Sequence, residues 1–230
     1  MACNREKIKE AKSVDDIYAK KYAPLTEEYL KKPARTANLV DVINGSVSLA
    51  NADAISNYSG ELSKALNRAI RGNYLDFTVK VAAYDEVLLK ALQSLPHHND
   101  QTVYRMTKYV EDITPYAIYF DSKNGMVLSD PCYMSTSKDE WTSEKLVYEI
   151  TTLQSDSNAR DISRLTNNAI ENEVLFIKGT RFLVKSILKK EDRLIVEMKE
   201  TVEEADDILT FKFPYNSKKA KKEEKPGIFD

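Results

Sequence analysis

The sequence predicts a single α+β domain whose sheet is mainly antiparallel. Apolar residues recur at helical spacing between residues 52 and 95, whereas the segments after Pro96 are short and rich in β-branched and aromatic residues. Helices that precede strands, without alternation, are typical of α+β domains. We therefore expect a helical leader over residues 1–48, the main domain over 49–212, and a charged, disordered tail over 213–230.

Two amphipathic helices are predicted before Pro96. The apolar stripe of the first helix is followed by Gly72, a residue type that commonly ends helices. The second helix carries its apolar residues on one face and ends at Pro96. A further helix is expected in the leader, over residues 6–22. The two stripes comprise Leu62, Ala65, Leu66, Ala69 and Ile70, and then Tyr84, Val87, Leu88, Ala91, Leu92 and Leu95.

Seven short segments after Pro96 combine β-branched and aromatic residues with flanking turns, and we predict them as strands. The tripeptide Lys178-Gly179-Thr180 separates two of these segments and is interpreted as a hairpin loop. The predicted strands cover residues 103–106, 117–120, 126–128, 145–150, 173–177, 181–184 and 194–198.

The overall charge does not indicate a nucleic-acid-binding protein. The chain has 34 basic and 36 acidic residues and a net charge of −2, whereas nucleic-acid-binding proteins usually carry a basic excess on one face. The two histidines, His97 and His98, are adjacent, and the two cysteines, Cys3 and Cys132, lie far apart. Neither pattern has the ligand spacing of a zinc site, so no metal is expected.

Three separated motifs carry side chains that are suited to chemistry. Arg105 lies within a predicted strand, and an aromatic residue precedes the hydroxyl triplet Ser135-Thr136-Ser137. Either motif alone is common in strands and turns. The pair Glu171 and Glu173 is less ordinary, because alternation along a strand would place both carboxylates on one side. Like charges at that spacing cost energy unless a cation or a functional site compensates them.

In this order, the three motifs resemble the Arg-Ser-Glu signature of the mono-ADP-ribosyltransferases, a family that includes bacterial and phage arginine-modifying enzymes and toxins. The similarity extends to residues 58–71, to the segments 148–150 and 159–165, and to the glutamate strand with its following turn and Phe182. It covers about residues 50–200. The resemblance implies an ADP-ribosyltransferase fold for the main domain, with NAD as co-substrate.

The resemblance also assigns roles to the motif residues. Arg105 is expected to contact the NAD pyrophosphate, since a guanidinium offers a planar fork of donors. Glu173 is expected to stabilise the positive charge that develops on the ribose when the nicotinamide–ribose bond breaks. Ser135 is expected to position Glu173, while Thr136 and Ser137 support the strand end and the nicotinamide pocket.

The residue type at position 171 indicates which acceptor receives the ADP-ribose. In the family, glutamate at this position accompanies arginine modification, whereas glutamine accompanies asparagine or cysteine targets. A carboxylate can orient a guanidinium and help to remove its proton. We therefore expect transfer to an arginine of a target protein. Two alternatives stay open: an NAD glycohydrolase that uses the same residues with water as acceptor, and a catalytically silent module that binds NAD or a partner.

Some residues of the NAD pocket depart from the family pattern. Many relatives have glycine after the strand arginine, where this chain has Met106, which we expect to line the nicotinamide pocket. Arg160, or else Arg164, is a candidate for phosphate contact. Tyr133 and Trp141 are candidates for the aromatic residue that stacks on nicotinamide, although core packing accounts for either equally well.

The place of action is inferred from what the sequence lacks. No apolar run approaches the roughly 20 residues that span a bilayer, and the first residues are charged, unlike a signal peptide. We favour the cytoplasm of a host cell, as for a phage enzyme or a delivered effector. An exported toxin after trimming, or a lipoprotein modified at Cys3, is the alternative.

Overall fold

The computed structural model describes residues 46–71, 79–107, 110–141, 143–166 and 169–209 of the chain. The predicted leader helix and the predicted tail lie outside these residues, so the boundaries at residues 48 and 212 stay predictions. No helix within the described ranges is long and apolar enough to cross a membrane.

The predicted helical region precedes the sheet, as expected. Ser48 caps the first helix, because its Oγ accepts a hydrogen bond from the backbone N–H of Asn51 at 3.2 Å. Every member of the second predicted stripe is buried, as are Leu66 and Ala69 of the first. The elements are α1, Leu49–Asn57; a π-helical turn, Tyr58–Leu62; α2, Ser63–Ile70; α3, Val79–Gln93; and α4, Thr114–Asp121.

Within the described residues, the strands form one nine-stranded sheet in the order β5-β6-β3-β1-β4-β8-β7-β2-β9. Neighbouring strands are antiparallel except in the pairs β4–β8 and β2–β9. The predicted α+β class with a mainly antiparallel sheet is therefore confirmed. The strands are β1, Thr102–Thr107; β2, Val127–Ser129; β3, Met134–Ser137; β4, Leu146–Thr151; β5, Ala159–Asp161; β6, Glu173–Phe176; β7, Arg181–Lys190; β8, Arg193–Thr201; and β9, Asp207–Ile208.

Two apolar clusters fix the helices and strands relative to one another. The first joins α1–α3 to β6 and to the residue just before β3, and it includes Tyr58, Leu88, Tyr133 and Leu175. The rings of Tyr58 and Tyr133 meet edge to face, with centroids 5.6 Å apart. The second cluster fills the sheet beneath α4, around Phe120. Each large apolar side chain buried in this way contributes about 1.5–3 kcal/mol, so the strands that carry the motifs have a firm support.

Residues 117–120, predicted as a strand, belong to helix α4 instead. Pro115 lies in the first turn of α4, where its fixed φ and its missing N–H are tolerated. The backbone N–H of Thr114 donates to Asp112 Oδ1 at 2.8 Å and so satisfies one free donor of that turn. The prediction was wrong because periodicity does not distinguish a short apolar run in a helix from one in a strand.

The turn Lys178-Gly179-Thr180 does not join a hairpin, which corrects a second prediction. Strand β6 pairs with β3 and β5, whereas β7 pairs with β8 and β2. Gly179 has a φ of +80°, and its N–H donates to the Asp130 carbonyl oxygen at 2.8 Å. Glycine marks a tight turn here without determining which strands pair. The chain thus crosses from one part of the sheet to another, and Phe176 packs edge to face on Phe182.

Candidate active site

The sheet brings the three motifs onto adjacent strands. Arg105, Ser135 and Glu173 lie on β1, β3 and β6, and β3 is the middle strand of the three. Ser135 Oγ donates a hydrogen bond to Glu173 Oε1 at 2.5 Å, and Arg105 Nη1 donates to the Ser135 carbonyl oxygen at 2.8 Å. A guanidinium, a hydroxyl and a carboxylate therefore form one connected group.

The carboxylate of this group lies in a largely dehydrated environment. Glu173 is 4% exposed. Burial raises its pKa above the ordinary value of 4.5, and the negative charge of Glu171 acts in the same direction. The Ser135 hydrogen bond and the positive charge of Arg105 oppose that rise. Because water is mostly excluded, the ionised carboxylate interacts strongly with any positive charge that forms beside it.

A cleft of about 190 Å³ opens beside the connected group. Of the two aromatic candidates, Trp141 lines the cleft and Tyr133 does not. Tyr104 also lines the cleft, although no motif in the sequence indicated it. Six of the predicted site residues also line it, namely Arg105, Met106, Ser135, Thr136, Ser137 and Glu171.

The rest of the hydroxyl triplet holds backbone in place. Thr136 Oγ1 donates to the Val174 carbonyl oxygen at 2.7 Å, which ties β3 to β6 next to the catalytic candidate Glu173. Ser137 Oγ accepts a hydrogen bond from the backbone N–H of Asp139 at 3.0 Å, which closes the turn that follows β3. Both hydroxyls are therefore engaged with the protein itself.

The two glutamates do not share a strand face, contrary to the prediction. Glu171 ends a 3-10 turn, Ala169–Glu171, and only Glu173 belongs to β6. Asn172 between them has a φ of +43°, which lies in the left-handed region and breaks the strand alternation. Glu171 lines the cleft and Glu173 lies buried beside Ser135, so the two carboxylates reach the same site from different backbone elements.

Tyr133 belongs to the core and lies away from the cleft lining. It is 1% exposed, and its hydroxyl donates to Asp85 Oδ1 at 2.8 Å. Asp85 on α3 also pairs with the ammonium of Lys178. The first apolar cluster surrounds the ring of Tyr133, so its aromatic surface is used for packing, and the structure does not bring it to the predicted nicotinamide pocket.

Replacing Tyr133 with phenylalanine tests this placement. We expect Tyr133→Phe to lower the free energy of unfolding by about 1.5–3 kcal/mol, the range for a buried hydrogen bond to a charged group. Urea unfolding measures the loss, and steady-state kinetics are expected to give an unchanged KM for NAD. A raised KM with unchanged stability would instead place the ring against the nucleotide.

Arg160 is likewise buried, and its guanidinium is hydrogen-bonded within the protein interior. It is 3% exposed, its Nε donates to the Leu92 carbonyl oxygen at 3.0 Å, and its Nη1 donates to the carbonyl oxygens of Ser157 and Ala159 at 2.5 and 2.9 Å. Burial lowers the pKa of Arg160, while the negative charge of Glu200 opposes that change. The predicted phosphate contact is not supported by this position, because these donors are turned to backbone carbonyls.

A second arginine, missed in the sequence, lies near the connected group. Arg71 Nη2 is 3.6 Å from Asp130 Oδ1, and Asp130 is 1% exposed. Burial raises the pKa of Asp130, and the positive charges of both Arg71 and Arg105 oppose the rise. Asp130 therefore lies within electrostatic reach of both guanidinium groups. Nothing local in the sequence pairs residue 71 with residue 130, since the fold alone brings them together.

The expectation of a site without metal stays a prediction. Over the part of the chain that the structure describes, no three His, Cys, Asp or Glu side chains are grouped so that they could hold a metal ion.

Comparison with known proteins places the chain in a family. Residues 18–205 match the family described as ADP-ribosyltransferase exoenzyme, and the chain belongs to that family. A relative from Mycobacterium avium (strain 104), provisionally named NAD(+)–arginine ADP-ribosyltransferase Mav, is 29% identical over 149 residues. That match covers 63% of this chain but only 17% of the relative's length.

Solved structures confirm the fold. Exoenzyme S from Pseudomonas aeruginosa, in a complex with human 14-3-3 protein beta and carba-NAD, superposes with a TM-score of 0.60 and 21% identity, over 82% of this chain and 87% of that one. The toxin Plx2a from Paenibacillus larvae gives a TM-score of 0.58 and 19% identity, over 81% and 96%. The C3 exoenzyme of Clostridium limosum gives 0.56 and 13%, over 82% and 95%. The fold is that of the ADP-ribosyltransferases.

Proposed function

We propose that the chain is a mono-ADP-ribosyltransferase that transfers ADP-ribose from NAD to an arginine side chain of a target protein. The observation that carries this proposal is the buried carboxylate of Glu173, held by Ser135 Oγ at 2.5 Å beside a cleft lined by Arg105 and Glu171. Family membership supports the NAD chemistry, and the name of the mycobacterial relative supports arginine as the acceptor.

The residues of the cleft fit NAD. NAD supplies a glycosidic bond to a positively charged nicotinamide, which leaves as a neutral ring and takes the bonding electrons. Arg105 lines the cleft and offers a planar donor fork suited to the pyrophosphate. Trp141 offers an aromatic surface for the nicotinamide. Carba-NAD bound to the related exoenzyme S structure supports the same ligand class here.

Glu173 is suited to stabilise the positive charge that develops on the ribose as this bond breaks. A carboxylate in a dehydrated site requires little reorganisation during the reaction, which is the most effective form of electrostatic catalysis. Ser135 keeps Oε1 of the carboxylate in one orientation, and the backbone pairing of β6 with β3 holds its main chain. Glu173 is therefore the catalytic residue of the proposal.

Glu171 is suited to act on the acceptor. A guanidinium has a pKa above about 12 and is a poor nucleophile until it loses a proton. The Glu171 carboxylate lines the cleft and can receive this guanidinium as a charge-assisted hydrogen-bond partner. The guanidinium nitrogen forms the new bond to the ribose carbon, and its proton passes to a carboxylate or to water.

The acid side of the pH profile provides a test of the Ser135–Glu173 contact. The catalytic form of Glu173 is ionised, so activity is expected to rise with pH through its raised pKa, above 4.5. Ser135→Ala removes a hydrogen bond that lowers this pKa, and we expect the acid limb of kcat/KM to move to higher pH. A profile that stays in place, or moves to lower pH, would contradict the assigned contact.

A labelling experiment tests the proposed function. The chain is incubated with NAD labelled in the adenosine, with agmatine as a small guanidine acceptor and with a host-cell lysate. We expect labelled agmatine, labelled proteins and released nicotinamide. Nicotinamide release without any labelled acceptor would favour a glycohydrolase, and the absence of all three products would favour a silent module. We propose the cytoplasm of a host cell as the place where the target is modified.

A further inference from the structure

The residue between the two glutamates is held by a polar contact from the turn after β3. Asn172 Nδ2 donates a hydrogen bond to Asp139 Oδ2 at 2.6 Å, although the two residues are 33 positions apart in the chain. We propose that Asp139 and Asn172 form a positioning pair that sets the direction of Glu171, and thereby favours transfer to a guanidine over transfer to water. This inference rests on the proposed function and assigns to it two further residues.

The backbone at Asn172 explains why Glu171 needs such support. Asn172 has a φ of +43°, a conformation that asparagine adopts more readily than most residues with a side chain. It is the hinge between the 3-10 turn that ends at Glu171 and the strand that begins at Glu173. An extended Asn172 would restore strand alternation and change the direction of Glu171. The φ of this one residue thus determines where the acceptor carboxylate lies.

Two contacts from the same turn hold Asn172 in this conformation. Its carbonyl oxygen accepts a hydrogen bond from the backbone N–H of Lys138 at 3.0 Å, and its side-chain amide donates to Asp139. The second contact is charge-assisted, since the acceptor is a carboxylate. Asn172 is partly buried and Asp139 is exposed, so the side-chain contact can be removed without opening a cavity in the core.

The turn that supplies these contacts is itself anchored. Ser137 Oγ accepts from the Asp139 N–H at 3.0 Å, and Lys138 Nζ pairs with Asp161 Oδ2 on β5 at 2.5 Å. The last residue of the hydroxyl triplet is thus linked through Asp139 and Asn172 to the acceptor carboxylate. These contacts lie at the ends of three neighbouring strands: after the end of β3, at the end of β5 and just before the start of β6.

Glu173 is held independently of the pair. Its side chain accepts from Ser135 Oγ, its main chain pairs with Ser137, and its carbonyl oxygen accepts from the Ile162 N–H at 3.0 Å. Loss of the Asp139–Asn172 contact therefore leaves the group that stabilises the ribose charge in place and affects the acceptor side. Loss of the contact is therefore expected to lower the ratio of transfer to a guanidine over transfer to water, and not to lower both rates equally.

The test compares Asp139→Ala with Asp139→Asn in the full chain. Both ADP-ribosyl-agmatine and free ADP-ribose are quantified at saturating NAD. We expect Asp139→Ala to lower the ratio of transfer to hydrolysis about three- to tenfold, the range that one accessible hydrogen bond supplies, while nicotinamide release stays near wild type. Asp139→Asn keeps an oxygen acceptor for the Asn172 amide, so the ratio is expected to recover most of the wild-type value.

Variants of Asn172 separate the side-chain contact from the backbone conformation. Asn172→Gly keeps the left-handed φ but lacks the amide, whereas Asn172→Ala lacks the amide and strains that φ. We expect the ratio to fall in both, and further in the alanine variant. Asp156→Gly is the matched control, because Asp156 is exposed, has a φ of +55° and does not line the cleft. Asp121→Ala is the control for loss of an exposed acid.

The outcomes distinguish this inference from the proposed function. A wild type that releases no nicotinamide overturns the proposed function and, with it, the role of the pair. A wild type that is active and depends on Glu173, together with an unchanged ratio in Asp139→Ala, overturns the positioning pair alone. Equal loss of transfer and hydrolysis in Asp139→Ala, with no recovery in Asp139→Asn, also overturns it, since that result indicates a general structural role.

Discussion

Replacing Glu173 with glutamine is expected to lower the rates of transfer and of NAD hydrolysis together, by about a hundredfold to a thousandfold, the loss typical of removing one preorganised electrostatic group. Glutamine keeps the shape of the side chain and an oxygen that accepts from Ser135 Oγ, so only the negative charge is lost. Nicotinamide release and agmatine labelling, measured beside the wild type, check this. A variant that keeps a tenth or more of the wild-type activity would remove Glu173 from the centre of the mechanism.

The same substitution has a predictable effect on stability. Burial raises the folded-state pKa of Glu173 above 4.5, so the folded protein holds this proton more tightly than the unfolded chain does. The contribution of Glu173 to stability therefore falls as pH rises from the unfolded to the folded pKa, and at neutral pH the ionised carboxylate opposes folding. We expect the Tm of Glu173→Gln at neutral pH to equal or exceed that of the wild type. A lower Tm would show that the charge stabilises the fold, and the loss of activity in the variant could then not be assigned to catalysis alone.

Glu171→Gln is expected to reduce transfer of ADP-ribose to a guanidine while sparing hydrolysis of NAD by water. Transfer to agmatine should fall by about a hundredfold to ten-thousandfold, the usual contribution of a general base, while release of nicotinamide to water continues. Glu171 lines the cleft, where it can contact the acceptor, whereas Glu173 is buried and hydrogen-bonded to Ser135. The substitution of Glu171 therefore affects the acceptor and leaves the carboxylate of Glu173 in place. Parallel assays of labelled agmatine and free ADP-ribose measure the two rates.

Glu203→Gln is the control for this experiment, since Glu203 is exposed and does not line the cleft. Equal losses of transfer and hydrolysis in Glu171→Gln would contradict a selective role in the acceptor step. Retention of both rates would show that the acceptor is oriented by other residues.

The sequence was sufficient for the fold class and for the helices before the sheet. Residues such as Leu88 and Leu92 recur at helical spacing, and both are completely buried in the structure. The segment 117–120 was misassigned because a four-residue apolar run fits either a helix or a strand. The turn at Gly179 was correctly located, but strand pairing is a non-local property, and β6 and β7 take different partners.

The site residues that could be predicted from the sequence are those of the family signature. Arg105, Ser135 and Glu173 are far apart in the chain, and only the sheet order brings them together. For Tyr133 the sequence left core packing open, and the structure favours it; the burial of Arg160 could not be foreseen, because its guanidinium is satisfied by the distant Leu92 carbonyl oxygen. The left-handed backbone conformation of Asn172 could not be predicted either, because two acidic residues at alternate positions also fit an ordinary strand.

Glu173 is the residue on which the proposed transfer of ADP-ribose to arginine depends. The most direct test of this dependence is mass-spectrometric mapping of ADP-ribose on proteins of a host-cell lysate, after incubation with NAD and either the wild type or Glu173→Gln. We predict ADP-ribose on arginine side chains with the wild type and, over the same incubation time, at least a hundredfold less with the variant. ADP-ribose on another residue type, or equal modification by both proteins, would contradict the account.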